Sequence, residues 1–232
     1  MASTPPTDEV FVREVDEELR RDQIKTLWNS YGRLLLVAAG LLLAGLAAYL
    51  IWKGQITKTA EADSEQLSAA IASLQANQPA EAVKKVEPLL ADGSRTYRVA
   101  ATFTKAAVHG QKNETKQAAA LYAGIAADDS VAQPFRDLAL IRQTMLEFDG
   151  LPPQQVIDRM KPLTIESGPW FGTAGELTAL ALIKAKRPAE AGRLLATISR
   201  DKQLPPTLRL RAARLANSLG ADVALPSAAD KE

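Results

Sequence analysis

His109 is the only histidine in the chain, and there is no cysteine. A two-histidine metal site and a relay using a second histidine are therefore excluded, as are thiolate ligands, Cys nucleophiles and disulfides. His109 stands beside Gly110 near a helix end, where an exposed or capping role suits it better than catalysis. The carboxylates fall on polar faces, and Glu61, Asp63 and Glu65 read as a solvated helix surface rather than an acid–base pair. No Gly-rich phosphate loop occurs, and Ser167-Gly168-Pro169 reads as an inter-helix loop. Pro169, Trp170 and Phe171 open a helix, with burial rather than ligand stacking as the role of the two rings. No catalytic, cofactor-binding or metal-ligating residues are expected, and the chain reads as not an enzyme.

What remains is surface. Lys plus Arg is 28 and Asp plus Glu is 27, so charge does not point to nucleic acid or an acidic substrate. The lack of cysteine suits an oxidising compartment. Aromatic residues make up only 5% and few stretches alternate β-branched with polar residues, so the fold class is all-α.

Leu34 to Trp52 is a run of nineteen residues without a charge, closed by Arg33 and Lys53. As a helix it is roughly 28 Å long, close to the ~30 Å hydrocarbon core of a bilayer. It has no polar stripe, and Tyr31, Tyr49 and Trp52 fall where headgroups would lie. Arg20, Arg21, Lys25 and Arg33 precede it, whereas only Lys53 and Lys58 follow within twenty residues. Positive side chains stay cytoplasmic, so residues 1–33 are expected inside and the larger C-terminal portion outside. The charged region before the run is too long for a signal-peptide n-region, and Ala60-Glu61-Ala62 lies eight residues beyond it. The segment reads as an uncleaved signal anchor. Before it, residues 1–7 read as disordered, and Thr7 can cap a charged helix with a weak stripe of Phe11, Val15, Leu19, Ile24, Leu27 and Trp28. Gly40, Ala44 and Ala48, spaced four apart, would permit close helix contact.

Beyond Lys53 the sequence repeats. Pro79-Ala80-Glu81-Ala82 returns as Pro188-Ala189-Glu190-Ala191, and weaker copies start near Glu114 and Pro153. Anchors at 79, 114, 153 and 188 are 35, 39 and 35 residues apart, each followed by apolar residues at helical spacing. A period of this size built from two helices marks an α-solenoid. The first helices are predicted over 56–76, 94–110, 132–148 and 169–186, the second helices at the anchors, and a capping helix from Pro206 to Leu219 ends at Gly220. Leu208, Ala212, Leu215 and Leu219 form its apolar face, with Arg209, Arg211 and Arg214 mostly elsewhere. Residues 53–220 make up the repeat domain and 221–232 a disordered tail. First helices of such an array line a hollow that can hold an extended segment or a partner helix. The candidate groove residues are Arg95, Arg98, Lys105, Arg136 and Arg142.

The array resembles tetratricopeptide repeats, whose nominal length is about 34 residues. Ala82, Ala118 and Ala191 sit where that family has a small residue early in the second helix, while Val156 replaces it in the third copy. The usual Trp-Leu-Gly-Tyr positions of the first helix are not filled, so the four or so helix pairs are divergent. Phe11-Val12-Arg13-Glu14-Val15-Asp16-Glu17-Glu18-Leu19-Arg20 and Trp28-Asn29-Ser30-Tyr31-Gly32 look like the pre-membrane signature of ancillary SecYEG translocon subunits (YfgM-like) from alphaproteobacteria. That resemblance implies a bacterial inner-membrane, single-pass protein with a cytoplasmic N-terminus and a periplasmic repeat domain. It implies a non-enzymatic scaffold at the Sec translocon, with SecYEG, the periplasmic chaperone PpiD or newly exported proteins as partners. The alternative is an envelope scaffold for cell division, cytochrome maturation or outer-membrane assembly.

Overall fold

A computed structural model describes residues 7–225, with side chains from Tyr31 onward except Leu35. The expectations for residues 1–6 and 226–232, and for the side chains of the tail stripe, lie outside the described residues. The chain divides into two units, Met1–Glu61 and Ala62–Glu232. The long helix α1 (Thr7–Gln75) runs through the first and opens the second.

In the first unit the apolar run is helical throughout. Its described large side chains all face outward, with Leu42 71% exposed. The most apolar 18-residue stretch has a mean hydropathy of 2.6 and none of it is buried, so this helix is long and apolar enough to cross a membrane. Gly40 and Gly45 have nothing within 4 Å of where a Cβ would sit.

The second unit is built from the end of α1 followed by α2 (Pro79–Ala91), α3 (Arg95–Gln111), α4 (Thr115–Ala127), α5 (Gln133–Glu147), α6 (Pro153–Met160), α7 (Phe171–Lys184), α8 (Pro188–Arg200) and α9 (Pro206–Ser218). No strand occurs among the described residues. Four helix pairs and a last single helix emerge, as the repeat spacing predicts. Pro79, Pro153, Pro188 and Pro206 each open a helix, where the missing N–H would have no intrahelical partner.

The turns explain why the pairs form. Asn77, Asn113 and Lys186 adopt left-handed φ values of 56°, 60° and 62°. Each is followed by a residue whose N–H reaches back five positions: Gln78 to Ser73 O (2.8 Å), Glu114 to His109 O (2.9 Å) and Arg187 to Leu182 O (2.8 Å). This is the Schellman closure, which satisfies the last carbonyls of the first helix and turns the chain back. The third pair lacks it: Gly150 and Leu151 both donate to Glu147 O, at 2.9 and 3.1 Å, and Pro152-Pro153 starts α6. α6 also ends early. Pro88 lies inside α2, but Pro162 at the equivalent position falls in a 3-10 turn (Lys161–Leu163) that follows Met160. Proline has no N–H for the preceding turn, so either outcome is open at that position.

Ala82, Ala118 and Ala191 are fully buried, and Val156, their third-copy counterpart, is 1% exposed. The core runs as consecutive clusters. One gathers Ala70, Val86, Leu89 and Ala101; a second Tyr122, Ile125 and Ala139; a third Ile141, Met160 and Leu177; a fourth Phe171, Leu195, Ile198 and Ala212. Phe171 is buried and Trp170 packs partly against the third cluster, as the sequence predicts for the two rings. Two details at the C-terminal end differ from expectation: Val223, within the stretch expected to be a disordered tail, is buried against the fourth cluster and its N–H donates to Asn217 Oδ1 at 2.7 Å, and Arg209 of α9 turns inward. Arg209 is only 6% exposed and its Nε donates to Ser199 O at 3.3 Å, so it belongs to the inner face with Ala212, Ala213 and Ala216. Its long apolar stem can be buried because the guanidinium finds a carbonyl at the end of α8.

Candidate functional site

Two clefts open on the α3–α4–α5 segment. Arg95, Arg98 and Thr102 recur at i, i+3 and i+7 on α3, which places them along one face. They border a cleft of about 420 Å³ whose apolar wall is Val99, Leu121, Ile125 and Val131. Its far edge is the turn after α4. There Asp128 Oδ1 accepts from Ser130 N (2.9 Å) and from Ser130 Oγ (2.6 Å). These bonds, with the charges of Arg95 and Arg136 adding to them, hold the Asp128 carboxyl below the usual range. Arg95 Nη1 donates to Ser130 O at 3.4 Å, tying α3 to the same turn. Arg136 pairs with Asp129 and with Gln133 Oε1, and its Nε is buried without a hydrogen-bond partner among the described residues.

The second cleft uses other faces of the same helices. About 260 Å³ in volume, it is lined by Ala106, Ala107 and Gly110 of α3, Tyr122 of α4, and Arg142, Met145 and Leu146 of α5. Tyr122 is 7% exposed and packs on Phe103 with ring centroids 5.5 Å apart. Burial raises the Tyr122 hydroxyl above its ordinary value, and the Arg142 charge pulls the other way. A broad, shallow surface also lies on the outer side of α9, where Arg211 makes a two-pronged pair with Glu176 of α7 at 2.7 and 2.5 Å.

The five bases chosen from the sequence are thus divided. Arg95 and Arg98 share the first cleft, Arg136 stands at its Asp128 edge, and Arg142 borders the second cleft. Lys105 is half-buried on α3 and lines neither. His109 is half-buried and its Nδ1 meets Glu114 Oε2 at 2.5 Å, so it braces the α3–α4 turn. Asp63 accepts a bond from Ser94 N at 3.4 Å, while Glu61 and Glu65 are exposed. Sequence reasoning missed the second-helix contribution. Leu121, Tyr122 and Ile125 fall at helical spacing after the Glu114 anchor, and they form cleft walls as well as core. The small residues Ala106 and Ala107 mark a close helix approach, and Ala106 is fully buried there; only at Gly110 does the helix leave open space, with nothing within 4 Å of where a Cβ would sit.

A family model described as a tetratricopeptide repeat-like domain matches residues 25–151. The match takes in the apolar run, helices α2 to α5 and both clefts. The same turn closure continues beyond it at Lys186. Neither the curated proteins nor the solved structures contain a match to the chain.

Proposed function

The chain belongs to the tetratricopeptide repeat-like domain family, and we propose that it is a membrane-tethered scaffold for protein partners at the Sec translocon. One observation carries this reading: an uncovered apolar helix of spanning length and a helical repeat unit with open, unoccupied-by-core clefts occur in one chain. Repeat families of this kind work through such surfaces rather than through reacting groups. Residues 34–52 anchor the protein in the bilayer, residues 1–33 stay cytoplasmic, and the repeat domain 53–220 faces the periplasm with residues 221–232 as its tail. SecYEG, PpiD and newly exported proteins are the proposed partners, and Arg95, Arg98 and Arg136 mark the proposed partner groove. The resemblance of the pre-membrane signature supports the Sec assignment, and the excess of bases before the span supports the orientation.

Affinity capture of the intact protein from native membranes tests the partner. Translocon components should co-purify. Recovery of division or outer-membrane assembly proteins without them would overturn the Sec assignment in favour of another envelope scaffold. Protease added to inverted inner-membrane vesicles tests the orientation: it should trim only the tail, and digestion of the repeat domain would refute the topology.

A further inference from the structure

The second cleft owes its depth to residues that are not there to fill it. Ala107 and Gly110 project a methyl group or nothing from the last turns of α3, over a floor of buried Ala106 and Tyr122, while Arg142, Met145 and Leu146 of α5 line the other side. The resulting volume of about 260 Å³ suits one large side chain rather than a folded element. Its walls are apolar and soft: Met145 is 47% exposed, and a thioether adapts well to an incoming ring. The rim carries a single charge. Arg142 is exposed and makes no hydrogen bond or ion pair among the described residues. No acid lines the cleft, and Glu147, the next acid along α5, is held by Arg159 at 2.6 Å. Lys105 and His109 of α3 fall on a different face from Ala107 and Gly110, and Lys116 opens α4 away from the Tyr122 side. The cleft therefore presents an apolar hole beside one uncompensated guanidinium.

We propose that this cleft docks a segment of a protein partner that inserts one aromatic or large aliphatic side chain and sets a neighbouring carboxylate against Arg142. The charge selects the occupant. An acid beside the apolar anchor completes the guanidinium with a charge-assisted bond, whereas a base there meets repulsion. The inference rests on the scaffold reading and gives its partner a chemistry. It places a second contact on the array, separate from the cleft of Arg95 and Arg98.

The test uses the full chain in detergent micelles and three labelled octapeptides, GSAWDAGS, GSAWKAGS and GSAADAGS, followed by fluorescence anisotropy. The first should bind saturably and at least about ten-fold more tightly than either of the others, a gap of about one decade in Kd. Arg142→Glu should reverse the order of the Asp and Lys peptides. Gly110→Leu should cost at least about ten-fold in binding. A Cβ there meets nothing within 4 Å, and leucine favours the helix over glycine, so its unfolding midpoint should be unchanged or raised. Equal binding of the three peptides, no saturable binding below about 1 mM, or wild-type behaviour of both variants would overturn the proposal. Capture from native membranes separates this from the scaffold reading. Partners retained by both variants would sink the cleft alone, while wild-type protein that recovers no partner would sink the scaffold.

Discussion

The apolar run of α1 and helix α7 are made from much the same residues, yet they meet opposite surroundings. α7 (Phe171 to Lys184) buries nine of its fourteen residues, from Phe171 to Leu182. Among the described side chains of residues 34–52, none is buried. The glycines make the contrast sharpest. A Cβ added at Gly175 would lie 2.7 Å from Ile198 Cδ1, and one at Gly172 would lie 3.0 Å from Leu204 Cδ2, whereas Gly40 and Gly45 face open space. Apolar composition alone therefore does not say what a helix packs against. α7 carries polar Thr173, Glu176 and Lys184 on its outer side and packs between α6 and α8, but residues 34–52 carry no polar stripe and want an apolar solvent on every face.

Four experiments would break or sharpen that contrast. The largest effect is expected from Leu42→Arg combined with Leu46→Arg. Each central arginine costs about 2.5–3.5 kcal/mol of insertion free energy, so alkaline carbonate should release the double variant from membranes. Its retention in the pellet would refute the span. Next is Phe171→Ala, which should lower the stability of the repeat unit by about 3–5 kcal/mol in urea melts followed by circular dichroism. The same measurement on Leu42→Ala should show no change in that unit.

A smaller effect is expected at the glycines. Gly175→Ala must displace Ile198 and should cost about 1–3 kcal/mol, whereas Gly45→Ala should leave both membrane retention and the melt unaltered. A harmless Gly175→Ala would mean that the end of the Ile198 side chain can turn aside within the α7–α8 contact. The smallest effect concerns acid. Hydrogen bonds from Ser130 hold the Asp128 carboxyl low, and those from Arg187 do the same for Glu190. The folded state then binds fewer protons than the unfolded state. The stabilisation is present above the ordinary carboxylate range of about 4 and fades as pH falls through the folded values. Both groups are solvent-exposed, so Asp128→Asn should only slightly flatten the loss of melting temperature between pH 5 and pH 3. An unchanged acid slope would remove the turn from the account.

Much of the repeat was legible because its signals are local. Proline at 79, 153 and 188 and the apolar spacing after it placed the second helices to within a residue. Asn77 and Asn113 are residue types that tolerate a left-handed φ, so two of the turns announced themselves. Lys186 did not, because lysine adopts that conformation only where Schellman bonds enforce it. The candidate site was less legible. Five bases were chosen by helix membership, and that criterion could not distinguish Arg98, on one face of α3, from the Gly110 face that opens towards Arg142.

By itself the sequence determined the helical class, the spanning length of residues 34–52, the repeat period and the loss of most thiol and histidine chemistry. Each of these follows from residue type and from spacing within about one repeat. Tertiary structure alone decided how each helix is rotated about its axis. One residue turns a helical face by about 100°, so that rotation is set by which neighbours fill its grooves. Those neighbours buried Arg209, left Arg142 outside, and divided α3 between two clefts.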